Sequence, residues 1–438
     1  MSLNRREFLG SVGASAGSVL LAAQGQAQEF PTSSRELWQM LRVQPMVDST
    51  LTWLDTAALA PSLRTVLVEE YRQREALSQN RDRYLSDRCS GDALRELLGN
   101  IAQFVGASAD DLLITSGATE ALSIVAAGLD FTPGDEILTT THDHPAAVYP
   151  WLLQAKRRGL KVVQVALPSP ANTPAEIIDA FTAAITDRTR LMCFSHVQYT
   201  DGCVLPVREL CALARARNIL TLVDGAQALG MLPLDLTTLG CDFYAASLHK
   251  WLNGPAGTGL LYFGEGARFR LWPVEVADHG DWDSIDRFGA TDSPLSIPYR
   301  ANWPAALRKF DYGIPHTAPL LYAVAPAVAL QQEIGRERLA ARIRELAWYL
   351  RMDLQRIEGV RVLTPTHPEL WAGIVSFEIS GIEQSELVSA LAAQERIIVR
   401  RVLHAGVGID YIRVSAHVYN DHADLDRFVA ALRRRVRS

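Results

Sequence analysis

Cysteine is scarce in this chain. The 438 residues hold five, Cys89, Cys193, Cys203, Cys211 and Cys241, and their scatter and odd number exclude a disulfide framework. They sit mostly in apolar or helical segments and read as small core residues, Cys203–Cys211 being the one bridge weighed against that. Positive charge is not in surplus either: 43 Lys and Arg against 49 Asp and Glu leave a formal net charge of −6, which excludes a basic nucleic-acid surface. The cluster Arg433-Arg434-Arg435-Val436-Arg437 reads instead as a helix end complementing its own dipole. Internal repeats and low-complexity tracts are missing, so solenoids and disordered chains are excluded. What remains is 48% hydrophobic and 21% charged, the balance of a soluble globular enzyme. A chain this long exceeds one simple core and predicts two domains.

The N-terminus carries an address. Asn4-Arg5-Arg6-Glu7-Phe8-Leu9 reads as a twin-arginine (Tat) signal, followed by a weakly apolar Gly/Ala/Ser/Leu stretch to Ala23. That stretch is too short and glycine-diluted for a membrane span. Gly25-Gln26-Ala27 offers the small residues of a signal-peptidase site, so residues 1–27 are read as a signal cleaved after Ala27. The expected partner is the Tat export machinery, and the expected location is the periplasm.

The rest divides by pattern. Residues 28–60 read as an N-terminal segment packing on the small domain, with a helix at Arg35–Leu41 and a β entry at Thr52-Trp53-Leu54-Asp55. Residues 61–316 read as the large domain. There, apolar strands at Leu112–Thr115, Glu136–Thr139, Val162–Val165, Leu191–Phe194 and Leu220–Val223 alternate with amphipathic helices, the last strand closing the series. Unbroken apolar strands are buried on both faces, as in a parallel sheet covered by helices. The Trp/Pro/Asp/Gly-rich segment 270–316 has no periodicity and reads as a lid, with Trp272, Trp282 and Trp303 at the entrance. Residues 317–438 predict an α+β small domain: one long helical stretch at 318–357, strands near 360–363, 374–378 and 411–414, and helices at 385–393 and from His422.

The chemistry concentrates in one segment. The apolar run Ile219–Val223 delivers Asp224 to the end of a buried strand, opening Asp224-Gly225-Ala226-Gln227. Ser247-Leu248-His249-Lys250 follows, then the Gly-rich turn Asn253-Gly254-Pro255-Ala256-Gly257. One chemistry needs these types together: an amine that holds an aldehyde cofactor, and a carboxylate that keeps the cofactor's pyridine nitrogen protonated. The segment predicts a pyridoxal 5′-phosphate (PLP) site, with Lys250 as amine and Asp224 as carboxylate. A phosphate cup is expected at the strand-to-helix turn Thr115-Ser116-Gly117-Ala118-Thr119-Glu120, where free N–H groups and the helix dipole favour an anion. The plainer reading of that turn is a capped helix with Ser116 as N-cap.

These motifs, with Cys241-Asp242-Phe243-Tyr244-Ala245-Ala246-Ser247-Leu248-His249-Lys250-Trp251 and Gly254–Tyr262, resemble the core of class V aminotransferases, in the isopenicillin N epimerase-like branch. The resemblance runs from about Trp53 to the C-terminus. It implies a fold-type I PLP enzyme, α/β, with a mainly parallel seven-stranded sheet between helices and a smaller α+β domain. By resemblance, Ala118 and Thr119 bind the cofactor phosphate, Ser247 and His249 add phosphate and positioning contacts, and Gln227 reaches the phenolic oxygen. His144 stacks on the ring, with His142 in the same loop as the alternative. Arg413 binds the substrate carboxylate, with Arg400 as a second donor and Arg401 beside it leaving the register open. Thr291 reaches a partner subunit's phosphate, which implies a homodimer. Desulfurases in this family carry a reactive cysteine a few residues after the position of Arg400. Here the segment is Val402-Leu403-His404-Ala405-Gly406-Val407-Gly408, and no cysteine follows Cys241, so a persulfide route lacks its nucleophile. A Tat leader on a class V core without that cysteine is similar in plan to the exported enzymes that tailor the glutamyl side chain of pyoverdine siderophores.

Overall fold

The computed structural model describes residues 33–274 and 314–436. The expectations for the export signal, Thr291, Trp282 and Trp303 lie outside those residues.

Among the described residues there are thirteen strands: β1 (Thr52–Trp53), β2 (Leu112–Thr115), β3 (Glu136–Thr140), β4 (Lys161–Val165), β5 (Thr189–Ser195), β6 (Leu220–Asp224), β7 (Phe243–Ser247), β8 (Gly259–Phe263), β9 (Val360–Val362), β10 (Ile374–Ile379), β11 (Ile397–Ile398), β12 (Arg400–His404) and β13 (Ile409–Ser415). Seven of them form one sheet in the order β2-β8-β7-β6-β5-β3-β4. Its strands run parallel except β8, which is antiparallel to both neighbours. Every residue of β7 and β8 is buried, as a strand covered by helices on both faces must be. The series therefore does not close at Val223. Two further strands extend it, β7 with its short run Phe243-Tyr244-Ala245-Ala246 and β8 with Leu260-Leu261-Tyr262-Phe263.

The fold is α/β with a mainly parallel seven-stranded sheet. The order places the carboxyl ends of β5, β6 and β7 side by side: Ser195 pairs with Asp224 in register, and Asp224 with Ala245. In open sheets of this kind ligands bind outside those ends.

A second, antiparallel sheet has the order β12-β13-β10-β9 and carries its own core, in which Leu350, Phe377, Leu391, Ile412 and Phe428 are buried. Residues 402–408 are not wholly a loop. Val402–His404 belong to β12, which pairs with β13 from Arg400↔Arg413 to His404↔Ile409. The expected long helix at 318–357 is three helices, Ile314–Tyr322, Ala325–Ile334 and Arg336–Leu354. Pro326 starts the second, and Gly335, at φ +87°, separates it from the third. A short parallel pair, β1 with β11, draws the N-terminal segment onto the second sheet, where Asp55 bridges to Ser415.

Candidate active site

The large sheet ends at a cleft with about 390 Å³ of atom-free space, lined by thirteen residues that include Ala118, Thr119, His144, Ser195, Tyr199, Asp224, Gln227, Ser247 and Lys250. Six of the sequence-predicted residues therefore converge with Lys250.

Asp224 is the last residue of β6 and is buried. One of its oxygens, Oδ1, accepts from the backbone N–H of Ala226 at 2.9 Å, which fixes its carboxylate at the strand end. The turn that makes this bond needs glycine next. A Cβ on Gly225 would lie 2.0 Å from the ring of Tyr244, a fully buried side chain on β7. Lys250 follows β7 in a turn; protein encloses it, and the surface it keeps faces the cleft. Burial pushes its ammonium down to about 8, against the opposing pull of Asp224. A neutral, nucleophilic amine is thus available near neutral pH.

The phosphate cup stands where the turn Thr115–Thr119 meets the helix Ala118–Gly128. The N-cap is Gly117 and not Ser116, whose own N–H is taken by the Glu120 carboxylate. Glycine is required across the sheet as well, since a Cβ on Gly259 would fall 2.4 Å from Gly117 Cα. Ala118 N–H donates to Ser247 Oγ at 3.3 Å, and Thr119 is exposed to the cleft. The expected contacts of His249 change in kind. Its Nδ1 lies 3.0 Å from the Thr258 carbonyl, so Nδ1 carries the proton and donates. Burial holds the ring below the usual imidazole range. His249 is outside the cleft lining and braces the cup as a neutral ring.

Of the two loop histidines, His144 is at the cleft. It caps the helix Pro145–Arg158, its Nδ1 accepting from Ala146 N–H at 3.1 Å, and its ring is open to the cavity. Desolvation holds it below its ordinary range, against the pull of Asp224. Tyr199 packs edge-on against it at 4.9 Å. His142 is instead a core residue, 2.8 Å from Thr200 Oγ1. Gln227 lines the cleft, but both ends of its amide are engaged: Nε2 donates to the Ala57 carbonyl and Oε1 accepts from Trp251 Nε1, each at 2.9 Å. Only its second N–H is free for the cofactor contact. Trp272 is not at the entrance. Its Nε1 donates to Asp130 at 2.7 Å and its N–H to the Gly128 carbonyl, at the far end of the helix whose start forms the cup.

Arg413 is buried, and its fork is already engaged. Nη2 donates to Asp55 Oδ1 at 3.1 Å and Nη1 to the Tyr199 carbonyl at 3.2 Å, while Nε has no partner. Arg400, opposite it in register, donates from Nε to Asp55 Oδ2 at 2.9 Å. Arg401 turns the other way, to Asp410 at 2.7 Å, so of the two it is Arg400 that faces Asp55. Sequence reasoning missed Asp55, Tyr199, Ser195 and Asp143. The last accepts from Ser195 Oγ at 2.7 Å, and burial pushes it up to about 6. The β entry at Thr52–Asp55 was visible, and an acid at its end was the available signal for Asp55. All five cysteines are buried and unpaired with one another.

The donor set suits PLP: a buried amine whose proton is held less tightly than an ordinary lysine's, a fixed buried carboxylate, and backbone N–H groups with hydroxyls at a helix N-terminus. Fold and site together define a fold-type I PLP-dependent enzyme, and PLP is its cofactor.

The aminotransferase class-V family model matches residues 52–428, and the chain belongs to that family. It is 34% identical over 406 residues to an isopenicillin N epimerase from Amycolatopsis lactamdurans, covering 90% of this chain and 98% of the relative. A cysteine desulfurase from Yersinia pseudotuberculosis is 30% identical over 420 residues, 93% of this chain and 96% of the relative. Among solved structures, the cystine C–S lyase C-DES in complex with its product cysteine persulfide matches with a TM-score of 0.75 at 26% identity, covering 88% of this chain and 98% of that one.

Proposed function

We propose that the protein is an exported enzyme acting at the amine-bearing carbon next to a carboxylate, by epimerisation or transamination, on the glutamyl side chain of a pyoverdine-type siderophore. The observation that carries the reaction class is the juxtaposition of Lys250, Asp224 and His144 around one cleft; Arg413, paired with Arg400 across two strands, is tied to the cleft residue Tyr199 through its carbonyl. The similarity to isopenicillin N epimerase supports chemistry that keeps or moves the amine. The twin-arginine leader supports a periplasmic place, with the cofactor loaded before export of the folded chain. A homodimer is part of the proposal, and its sequence support is Thr291.

When bound, PLP draws negative charge from the substrate's α-carbon into its ring. Asp224 would favour a proton on the pyridine nitrogen by opposite charge. Lys250, whose ammonium is lowered by burial to about 8, would take the α-proton and hold it for return. Ala118, Thr119 and Ser247 would hold the phosphate, and His144 would pack against the ring. Arg413 and Arg400 orient the substrate carboxylate, which decides which bond at the α-carbon is broken.

A second reading, a lyase acting on a free amino acid, is favoured by the likeness to the C–S lyase and the desulfurases. A persulfide-carrying desulfurase is disfavoured, because residues 400–408 contain no cysteine and the five present are buried. Turnover in deuterated water separates the readings. Solvent deuterium at the α-carbon with amine retained indicates epimerisation, a keto acid indicates transamination, and release of a side-chain fragment sinks the proposal in favour of the lyase.

A further inference from the structure

The carboxylate fork holds an acid of the protein's own. Asp55 is buried between two guanidiniums, Oδ1 3.1 Å from Arg413 Nη2 and Oδ2 2.8 Å from Arg400 Nη2. Its backbone is tied on both sides. Leu54 N–H donates to the Ile398 carbonyl, Thr56 N–H to the Ser415 carbonyl, and Ala57 N–H to Ser415 Oγ. A short side chain on so fixed a backbone keeps its carboxylate within reach of both guanidiniums. Two cations and one anion leave one uncompensated positive charge. The donors left over are Arg413 Nε, buried with no partner, and the open side of Arg400, whose side chain is 54% exposed. A buried charge is costly unless it is paired, and an unpaired buried N–H marks a place for an acceptor.

We infer that Asp55 sets this fork to a net charge of plus one, so that it accepts a single carboxylate and discriminates against dianionic head groups. The inference rests on the proposed function in one respect, that the fork receives the substrate's carboxylate. One added carboxylate brings the cluster to neutrality, two cations against two anions. A second negative charge on the ligand meets Asp55, and like charges placed together weaken binding. The substrate class that fits carries one free acid beside its amine, with any other carboxyl group tied up as an amide or ester.

The test measures binding of butyrate as monoanion and succinate as dianion to the holoenzyme, read from the cofactor's visible absorption and from thermal shift. The wild-type protein is expected to prefer butyrate. Asp55→Asn, nearly equal in shape, should bind succinate about tenfold more tightly than wild type and reverse the preference. Arg400→Gln, at a half-exposed position, should lose about tenfold in butyrate affinity. Combining the two substitutions restores one unpaired charge and should return the preference for butyrate, which also carries the test if Asp55→Asn alone does not fold. Equal weakening of both ligands in Asp55→Asn would overturn the inference and make Asp55 a prop for the arginines. Binding of neither ligand to the wild-type protein would overturn the carboxylate-fork reading itself.

Discussion

Replacing Gly225 with alanine tests how the site is built, because one methyl group there has nowhere to go. The added Cβ would lie 2.0 Å from Tyr244 Cε1, 2.2 Å from Cζ and 2.4 Å from the hydroxyl oxygen. Tyr244 has no accessible surface, and its hydroxyl is 2.9 Å from His196 Nδ1. The backbone cannot yield easily either, since Gly225 N–H donates to the Ala245 carbonyl at 2.7 Å and its carbonyl accepts from Ala228 N–H. Overpacking a core costs about 1–3 kcal/mol. Turning Tyr244 away leaves a buried polar pair unmatched, about 1–3 kcal/mol more. A loss of about 2–6 kcal/mol follows, and because Asp224 precedes the residue that moves, cofactor retention should fall with it. The assay is the urea midpoint together with PLP content per purified chain. Gly99→Ala is the control: the site has no atom within 4 Å of the new methyl, and a helical alanine there should stabilise by up to about 1 kcal/mol. A Gly225→Ala protein with the wild-type midpoint and full PLP content refutes the reasoning.

Asp224→Asn should reduce kcat on the order of 100-fold with little change in fold, measured by steady-state turnover and circular dichroism; an unchanged kcat contradicts the role of the carboxylate. Cofactor uptake by the cofactor-free protein should speed up as pH rises through about 8 and not through the ordinary lysine range, because burial lowers Lys250 and only the neutral amine attacks. Stopped-flow absorption across pH 6–10 reads this. Arg413→Gln should raise KM by roughly 10–100-fold, the scale of a charged hydrogen bond, with a smaller effect on kcat. His196 and His417 are both buried and both pushed down to about 4 from 6.5. The unfolded chain binds their protons first, so stability is fully present above pH 6.5 and is lost as pH falls towards 4. The loss approaches about 1.4 kcal/mol per pH unit for each histidine, and urea midpoints at pH 7, 6 and 5 measure it.

The chemistry was more legible than the topology. Lys250 and Asp224 announce themselves because each lies beside residues whose type only that chemistry requires, a buried strand end and a Gly-rich turn. The strands β7 and β8 carry short apolar runs of their own, embedded in the same motifs that announce the site. The choice of His144 over His142 came from the family resemblance and not from any local physical signal: two histidines two residues apart point to opposite surroundings, one to the cleft and one to Thr200. Asp55 shows the same limit at longer range. Its partners Arg400 and Arg413 are set side by side by the β12–β13 hairpin and brought to it by the pairing of β1 with β11, a contact between segments more than 300 residues apart that no local pattern encodes.

The most direct measurement of the central claim is borohydride reduction of the purified protein followed by peptide mass spectrometry. The account predicts a pyridoxyl phosphate label on the ε-amino group of Lys250 and on no other lysine. A label at a different lysine, or none on protein expressed with ample vitamin B6, contradicts it.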